Sequence, residues 1–391
     1  MKLIPCVLAV ALGVPKGSLA VTTMPIGSCV DLQEAAIETA TDDVIAELEV
    51  ENIVCPSWTT FEVNNNRLKI VAGGELTDED GFFFHNVRFE VYSVLRFEFH
   101  AHFFGDMPGD GEVSSHVVNG GILKVASGGR ARFMSHVYVE GITISTGTND
   151  PSEITPDAGH GGCFYNEGLI RFERTLETIV CTTSGGGDTG MGDGGTLWNG
   201  ESARVVMKGE VNMQTGGVDS GFLRMDAISR GGMIYNEGFV SIFDDAAFSN
   251  AKANEGGCFF NSGTMKFLSA ASGSFVLNIA GEGGHVYNTG TFLMKSGAFF
   301  TEGFSGEASG GAIFNTGSII IEGMEAFASS GVDFVGNAAL ERGGAIANAL
   351  DAVLELPDDT VFDGNYIMVL DGEENCDDIY QETEDGFVCL P

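Results

Sequence analysis

The stretch SVLRFEFHAHFFGD, residues 93–106, sets two imidazoles two positions apart in a run of alternating polar and apolar side chains. Residues i and i+2 of an extended strand share a face. Alternation therefore puts Arg96, Glu98, His100 and His102 on one side and Leu95, Phe97 and Phe99 on the other. A guanidinium, a carboxylate and two imidazoles so gathered suit acid–base work or a metal ion. An ordinary solvated strand face would look the same. The glycine-rich SGGGDTGMGDGGT, residues 184–196, offers Asp188 and Asp193 as cation ligands. It has no GK[ST] and so is not a phosphate loop; without a bound cation it reads as an insertion between elements. DMPGDGE, residues 106–112, fails the spacing of a calcium-binding EF-hand.

A third set of candidates emerges only from a repeat. A glycine pair, three residues and an asparagine recur as GGCFYN at 161, GGTLWN at 194, GGMIYN at 231, GGCFFN at 256, GGHVYN at 283, GGAIFN at 310 and GGAIAN at 343. A degenerate copy, SSHVVNGGILKV, begins at Ser114, and a further one lies in GFFFHNVRFEV from Gly81. A second signature, Phe-x-x-Asn, appears at Phe275/Asn278, Phe334/Asn337 and Phe362/Asn365. Each unit reads as a glycine corner, a short strand, an asparagine corner and two further strands. Units of this length, rich in Gly, Phe, Val and Ile and alternating with period two, are strand-like; helical repeats need longer units at period 3.6. The fold expected is an all-β, right-handed parallel β-helix, a solenoid of three strands per coil.

That architecture assigns roles. Asparagine tolerates a left-handed corner, and its amide can bond its counterpart one coil on. Asn166, Asn199, Asn236, Asn261, Asn288, Asn315 and Asn348 are thus expected to form a ladder. The residues just before them, Tyr165, Trp198, Tyr235, Phe260, Tyr287 and Phe314, would point outward if their predecessors point in, giving an aromatic strip for sugar rings. Rings turned inward, or shielding only one another, are the other reading. After the asparagine, Lys124, Arg171 and Lys266 each stand between two apolar residues and are read as equivalent outward charges on different coils.

The chain has 391 residues, a formal net charge of -36 and a mean hydropathy of +0.12. So much acid makes nucleic acid and anionic membranes poor partners and cations, calcium included, natural companions. No cofactor is required by any motif. MKLIPCVLAVALGVPKGSLA, residues 1–20, has the form of a secretory signal with cleavage after Ala20, and no later stretch is apolar enough to span a membrane. In an oxidising compartment the spacing pairs Cys29 with Cys55 and Cys376 with Cys389, with Cys163–Cys181 a weaker candidate and Cys258 left as a buried thiol. The organisation expected is a signal over 1–20, an N-terminal cap over 21–60 with a helix beginning near residue 31, the β-helix over 61–370 and a disulfide-stapled C-terminal cap over 371–391.

The GGAI at 310 and 343 and the Phe-x-x-Asn units resemble the repeats of the chlamydial polymorphic outer-membrane proteins, whose hallmarks are GGA[ILV] and FxxN, over about residues 110–370. Members of that family are autotransported adhesins. The resemblance implies a secreted, pectin-lyase-like β-helix without the family's C-terminal barrel. Enzymes of that fold cleave polysaccharides, and the polygalacturonase-like order NTD, DD, GHG, RIK is matched here only by Gly159-His160-Gly161; NTD and RIK are absent and Asp244-Asp245 follows instead of preceding. The function expected is therefore a secreted, monomeric, non-enzymatic protein that binds an extracellular glycan or cell-surface component. A polysaccharide lyase or hydrolase is the alternative.

Overall fold

The computed structural model describes residues 21–73, 76, 81–105, 119–145, 160–184, 192–214, 230–268, 273–295, 297–306, 309–322, 331–368, 377–383 and 386–390. The chain is a parallel β-helix. One coil comprises Ile234–Asn236, Phe239–Ile242 and Ala246–Ser249; the next comprises Phe259–Asn261, Thr264–Phe267 and Gly273–Val276. Each strand pairs in parallel with its counterpart one coil on. Among the described residues the second strands build a 12-stranded sheet, here the lateral sheet. The first and third strands join a 21-stranded sheet that wraps the rest of the coil, and a 4-stranded sheet of two-residue strands closes the later coils.

The asparagine corner is built twice over. Asn166 Oδ1 accepts the Gly168 N–H at 3.1 Å, closing a local turn, while its Nδ2 donates to Asn199 Oδ1 at 2.8 Å on the next coil. The same upward bond runs from Asn199 to Asn236, Asn261, Asn288, Asn315 and Asn348 at 2.6–2.8 Å, and Asn348 passes it to Gln381 at 2.6 Å. All seven asparagines are buried. Buried amides this well paired hold the coils in one register, because any slip orphans a column of donors and acceptors. At the glycine corner, Gly161 has φ +64° and a Cβ there would lie 2.1 Å from the Phe164 carbonyl oxygen, so only glycine fits.

Two aromatic columns fill the interior. Phe97, Phe133 and Phe172 stack at 5.0 and 5.1 Å inside the lateral sheet. Phe248, Phe275, Phe300, Phe334 and Phe362 stack at 4.6–5.3 Å inside the wrapped sheet of the later coils, so the Phe of Phe-x-x-Asn packs into the core. Its Asn caps the third corner: Asn337 Oδ1 accepts the Gly303 N–H at 2.9 Å and Nδ2 donates to the Phe300 carbonyl at 2.9 Å.

The ends differ from the sequence reading. The helix spans Cys29–Glu38, capped by Ser28 and buried through Leu32, Ala35 and Ala36, with Cys29 bonded to Cys55. It stops before the β-branched Val44 and Ile45, which enter the strand Asp43–Leu48. Parallel pairing already starts at Val21–Ile26, so the helix is an insertion within the first coil and the solenoid does not wait until residue 61. At the other end Ile379–Thr383 continues the parallel ladder from Ile346–Asn348 and folds back on Gly386–Leu390 as an antiparallel hairpin. Cys376 lies outside the described residues, and with it the pairing to Cys389. Cys163–Cys181 is a disulfide and Cys258 a buried free thiol whose pKa burial raises. Among the described residues no helix is long and apolar enough to cross a membrane.

Among the described residues, one buried histidine makes stability depend on pH. His285 is fully buried, its Nδ1 lies 2.8 Å from Asn278 Nδ2, and burial lowers its pKa to about 3. The folded pKa is below the ordinary 6.5, so as pH falls the unfolded chain takes up a proton that the folded chain refuses. This stability contribution is intact above pH 6.5 and is lost progressively towards pH 3. At about pH 4.5 the loss should reach about 2–3 kcal/mol. The carboxylates titrate in the same window, so the measurement is a difference: urea midpoints of the parent and His285→Ala between pH 7 and 4.5. Parallel pH slopes would refute the assignment.

Candidate functional site

The strand imagined through residues 94–104 is two strands with a corner between them. Val94–Phe97 belongs to the lateral sheet and His100–Phe104 to the wrapped sheet, so Arg96 and the imidazoles face different directions. Glu98 turns back to the lateral sheet, bonding Arg96 at 2.5 Å and Lys69 at 2.7 Å. His100 sits 4.7 Å from His136, and His102 lies 4.9 Å from Phe83 and 5.6 Å from Tyr138. Burial, with the neighbouring His100, lowers the pKa of His102. The four residues are not one constellation.

The glycine-rich segment separates likewise. Asp188 lies outside the described residues. Asp193 is buried and bound by Arg230, Nη2 to Oδ2 at 2.6 Å and Nε to Oδ1 at 3.3 Å, with His160 Nδ1 at 3.9 Å from Oδ2. Its carboxylate answers a guanidinium. Among the described residues no group of three His, Cys, Asp or Glu is placed to hold a metal.

The six aromatic residues do form one file on the outside of the wrapped sheet. Tyr165, Trp198, Tyr235, Phe260, Tyr287 and Phe314 follow each other at centroid distances of 4.4, 6.2, 5.1, 5.3 and 4.9 Å, close to parallel except for the last pair at 32°. Their faces therefore cover one another: Tyr165, Tyr235 and Phe260 are buried, and Trp198, Tyr287 and Phe314 stay half-buried. Tyr165 and Tyr235 donate their hydroxyls to Glu167 at 3.2 Å and Glu237 at 2.6 Å. Burial comes first, with the Glu237 bond behind it, in raising the Tyr235 pKa.

Alongside runs a polar file that motif reading did not anticipate, made by the residue before each glycine pair. The carbonyls of Asp193, Arg230, Glu255 and Glu282 each accept the glycine N–H of the preceding coil at 2.9–3.0 Å, so these residues stack in register. Arg230 lies over the rings of Tyr235 and Phe260 at 4.6 and 5.1 Å, and His160 stands 6.0 Å from Trp198. Of this file, the Arg230 and His160 side chains reach the rings, and Asp193 reaches Arg230.

The outward cations are distributed differently from the sequence reading. Arg171 and Lys266 share one column of the lateral sheet, but Lys124 is on the wrapped sheet, where Leu123 and Val125 pair with Phe164 and Asn166. The glycine pair 120–121 is the corner of that coil, so Lys124 takes the aromatic position and Val125 the asparagine position. The lateral sheet instead lines up Lys69, Arg96, Arg132 and Arg171 on consecutive coils. Arg67, Arg130 and Arg204 flank them two residues away, and Lys208 follows Arg204 on the other side. With Lys266, nine of the chain's 19 Lys and Arg residues thus occupy one face of a protein with net charge -36, eight of them between residues 67 and 208. The signal was present as RLK, LRF, RAR and IRF, but the loops between them vary in length and hid the register.

Glu173 anchors the far half of this face, bonding Arg132 at 2.6 Å, Lys208 at 3.2 Å and Arg171. Burial would raise its pKa, but the bonds to Lys208, Arg132 and Arg171 outweigh this and hold it below the usual range. Comparison with protein-family models, with curated proteins and with solved structures finds no match to this chain.

Proposed function

We propose that this chain is a non-enzymatic extracellular glycan-binding solenoid whose contact surface on the wrapped sheet is the paired aromatic and polar files. One observation carries the reading: an apolar file and a polar file run side by side in register over successive coils, from Tyr165 to Phe314 and from His160 to Glu282. A sugar presents both C–H patches and hydroxyls. Here the C–H patches would meet the half-buried rings of Trp198, Tyr287 and Phe314, and the hydroxyls would meet Glu167, Arg230, Glu237 and Glu255. The disulfides Cys29–Cys55 and Cys163–Cys181 support an oxidising compartment. The signal-like residues 1–20 lie outside the described residues, and the resemblance to polymorphic outer-membrane repeats supports a surface role.

The test is a glycan array with and without calcium, a reducing-end assay on each hit, and the same hits against Trp198→Leu and Tyr287→Leu, which keep apolar bulk in the file. The expected outcome is binding without turnover, weakened about tenfold or more in both variants. Turnover of a hit would make the chain an enzyme; unchanged binding would remove the aromatic file from the site.

A further inference from the structure

We infer that the lateral sheet carries a second, independent binding surface, for an extended acidic polysaccharide bearing carboxylate or sulfate groups. Its core is the file Lys69, Arg96, Arg132 and Arg171, one cation per coil and therefore about 4.8 Å apart along the solenoid. A flat file suits a chain of regularly spaced anions lying along the axis. At its N-terminal end the face dips into a shallow depression of about 250 Å³ lined by Asp43, Ile45, Arg67, Lys69 and Arg96 among others, where three cations surround one position and Asp43 is the one acid.

The two carboxylates inside the file do not neutralise it. Glu98 is shared by two cations and Glu173 by three. They are also less exposed than their partners: the Glu98 side chain 23% against 29% for Lys69 and 34% for Arg96, and Glu173 13% against 33% for Arg171 and 41% for Arg132 and Lys208. The acids thus hold the guanidinium groups from beneath and leave their outer donors free to meet planar anions two at a time. Elsewhere the surface is dominated by acid, which repels a polyanion everywhere except here and so fixes where it lands.

Single-stranded nucleic acid fits less well, since such sites interleave cations with aromatic platforms. Among the described residues the apolar outward neighbours of the four-cation file are Ile45, Val71, Val94, Met134, Leu169 and Val206, none aromatic; the face meets an aromatic ring only one coil beyond Arg204, at Phe239, which Arg204 and Lys266 cover at 4.9 and 5.7 Å.

The test measures binding of the full chain to a sulfated polysaccharide, a polyuronate, a neutral glycan of similar length, a DNA oligomer and vesicles of anionic phospholipid, over a range of salt. Arg96→Ala with Arg132→Ala is compared with Arg67→Ala plus Arg130→Ala, whose parent side chains are exposed and whose loss spares the Glu98 and Glu173 clusters. Binding to one of the acidic polysaccharides that weakens with salt and falls at least about tenfold in both double variants, but not in Trp198→Leu, supports the inference. Equal or tighter binding to DNA or vesicles, or polysaccharide binding indifferent to both double variants, overturns it. So does the absence of any polyanion binding, whether or not neutral glycans bind through the other sheet.

Discussion

Asn261→Ala should destabilise the protein by about 2–4 kcal/mol, although it removes only a small side chain. Asn261 Oδ1 accepts from Asn236 at 2.7 Å, and its Nδ2 donates to Asn288 Oδ1 at 2.7 Å and to the Thr291 carbonyl at 3.0 Å. Truncation leaves the Asn236 amide with the Thr264 and Gly238 carbonyls, at 3.2 and 3.4 Å, and takes a donor from Asn288 and Thr291. These groups are walled off from water, so the desolvation cost is not recovered. Asn261→Asp is the sharper variant: it keeps the acceptor, loses the donor and sets a carboxylate against the Asn288 oxygen in a buried site, so it should be the worse of the two at pH 7. Asn212→Ala, on an exposed outward position, should stay within about 0.5 kcal/mol. A solenoid unravels by neighbouring units, so hydrogen exchange should show protection lost first in the coils on either side of residue 261. A loss below about 1 kcal/mol by urea unfolding would mean that the ladder is a consequence of the register and not a cause of it.

Phe300→Ala should cost more, about 3–5 kcal/mol. The ring is fully buried, pressed between Phe275 at 4.6 Å and Phe334 at 4.8 Å, both nearly parallel to it. Coil spacing is set by the backbone hydrogen bonds above and below, so the column cannot close over the gap, and the cavity term adds to the lost transfer energy. Its neighbour is the control. Phe299 is 44% exposed on the outer surface, and Phe299→Ala should change stability by no more than about 0.5 kcal/mol. Paired urea titrations decide the matter; similar midpoints for the two variants would show that the column can repack.

The repeat made most of the architecture legible. A glycine pair followed at fixed distance by asparagine locates two corners of a coil, and the alternation beyond it separates core from surface, so the register of residues 161–348 follows without coordinates. The aromatic file belongs to the same logic, because Tyr165 to Phe314 hold one position relative to the corner. Alternation continues through Glu98 and Phe99, with Leu95, Phe97 and Phe99 all buried, but a corner that no glycine or asparagine announces lies between the two strands, so the outward residues do not share one sheet face. The alignment of coils fails at Lys124, where Asn119 precedes the glycine pair instead of following it and invites a shifted match to Arg171 and Lys266.

What this sequence determines by itself is the local grammar: which residues turn, which alternate, and that each coil repeats the last, all consequences of short-range sterics and of the need to bury one face of every strand. Tertiary structure alone decided which residues of the irregular early coils stand above one another. Lys69, Arg96, Arg132 and Arg171 are separated by unequal lengths of chain, and the loops between them absorb the difference while backbone pairing between coils keeps the strands aligned. Loop length varies at little energetic cost but interstrand register does not, so the cationic face is specified by hydrogen bonds that no local pattern records.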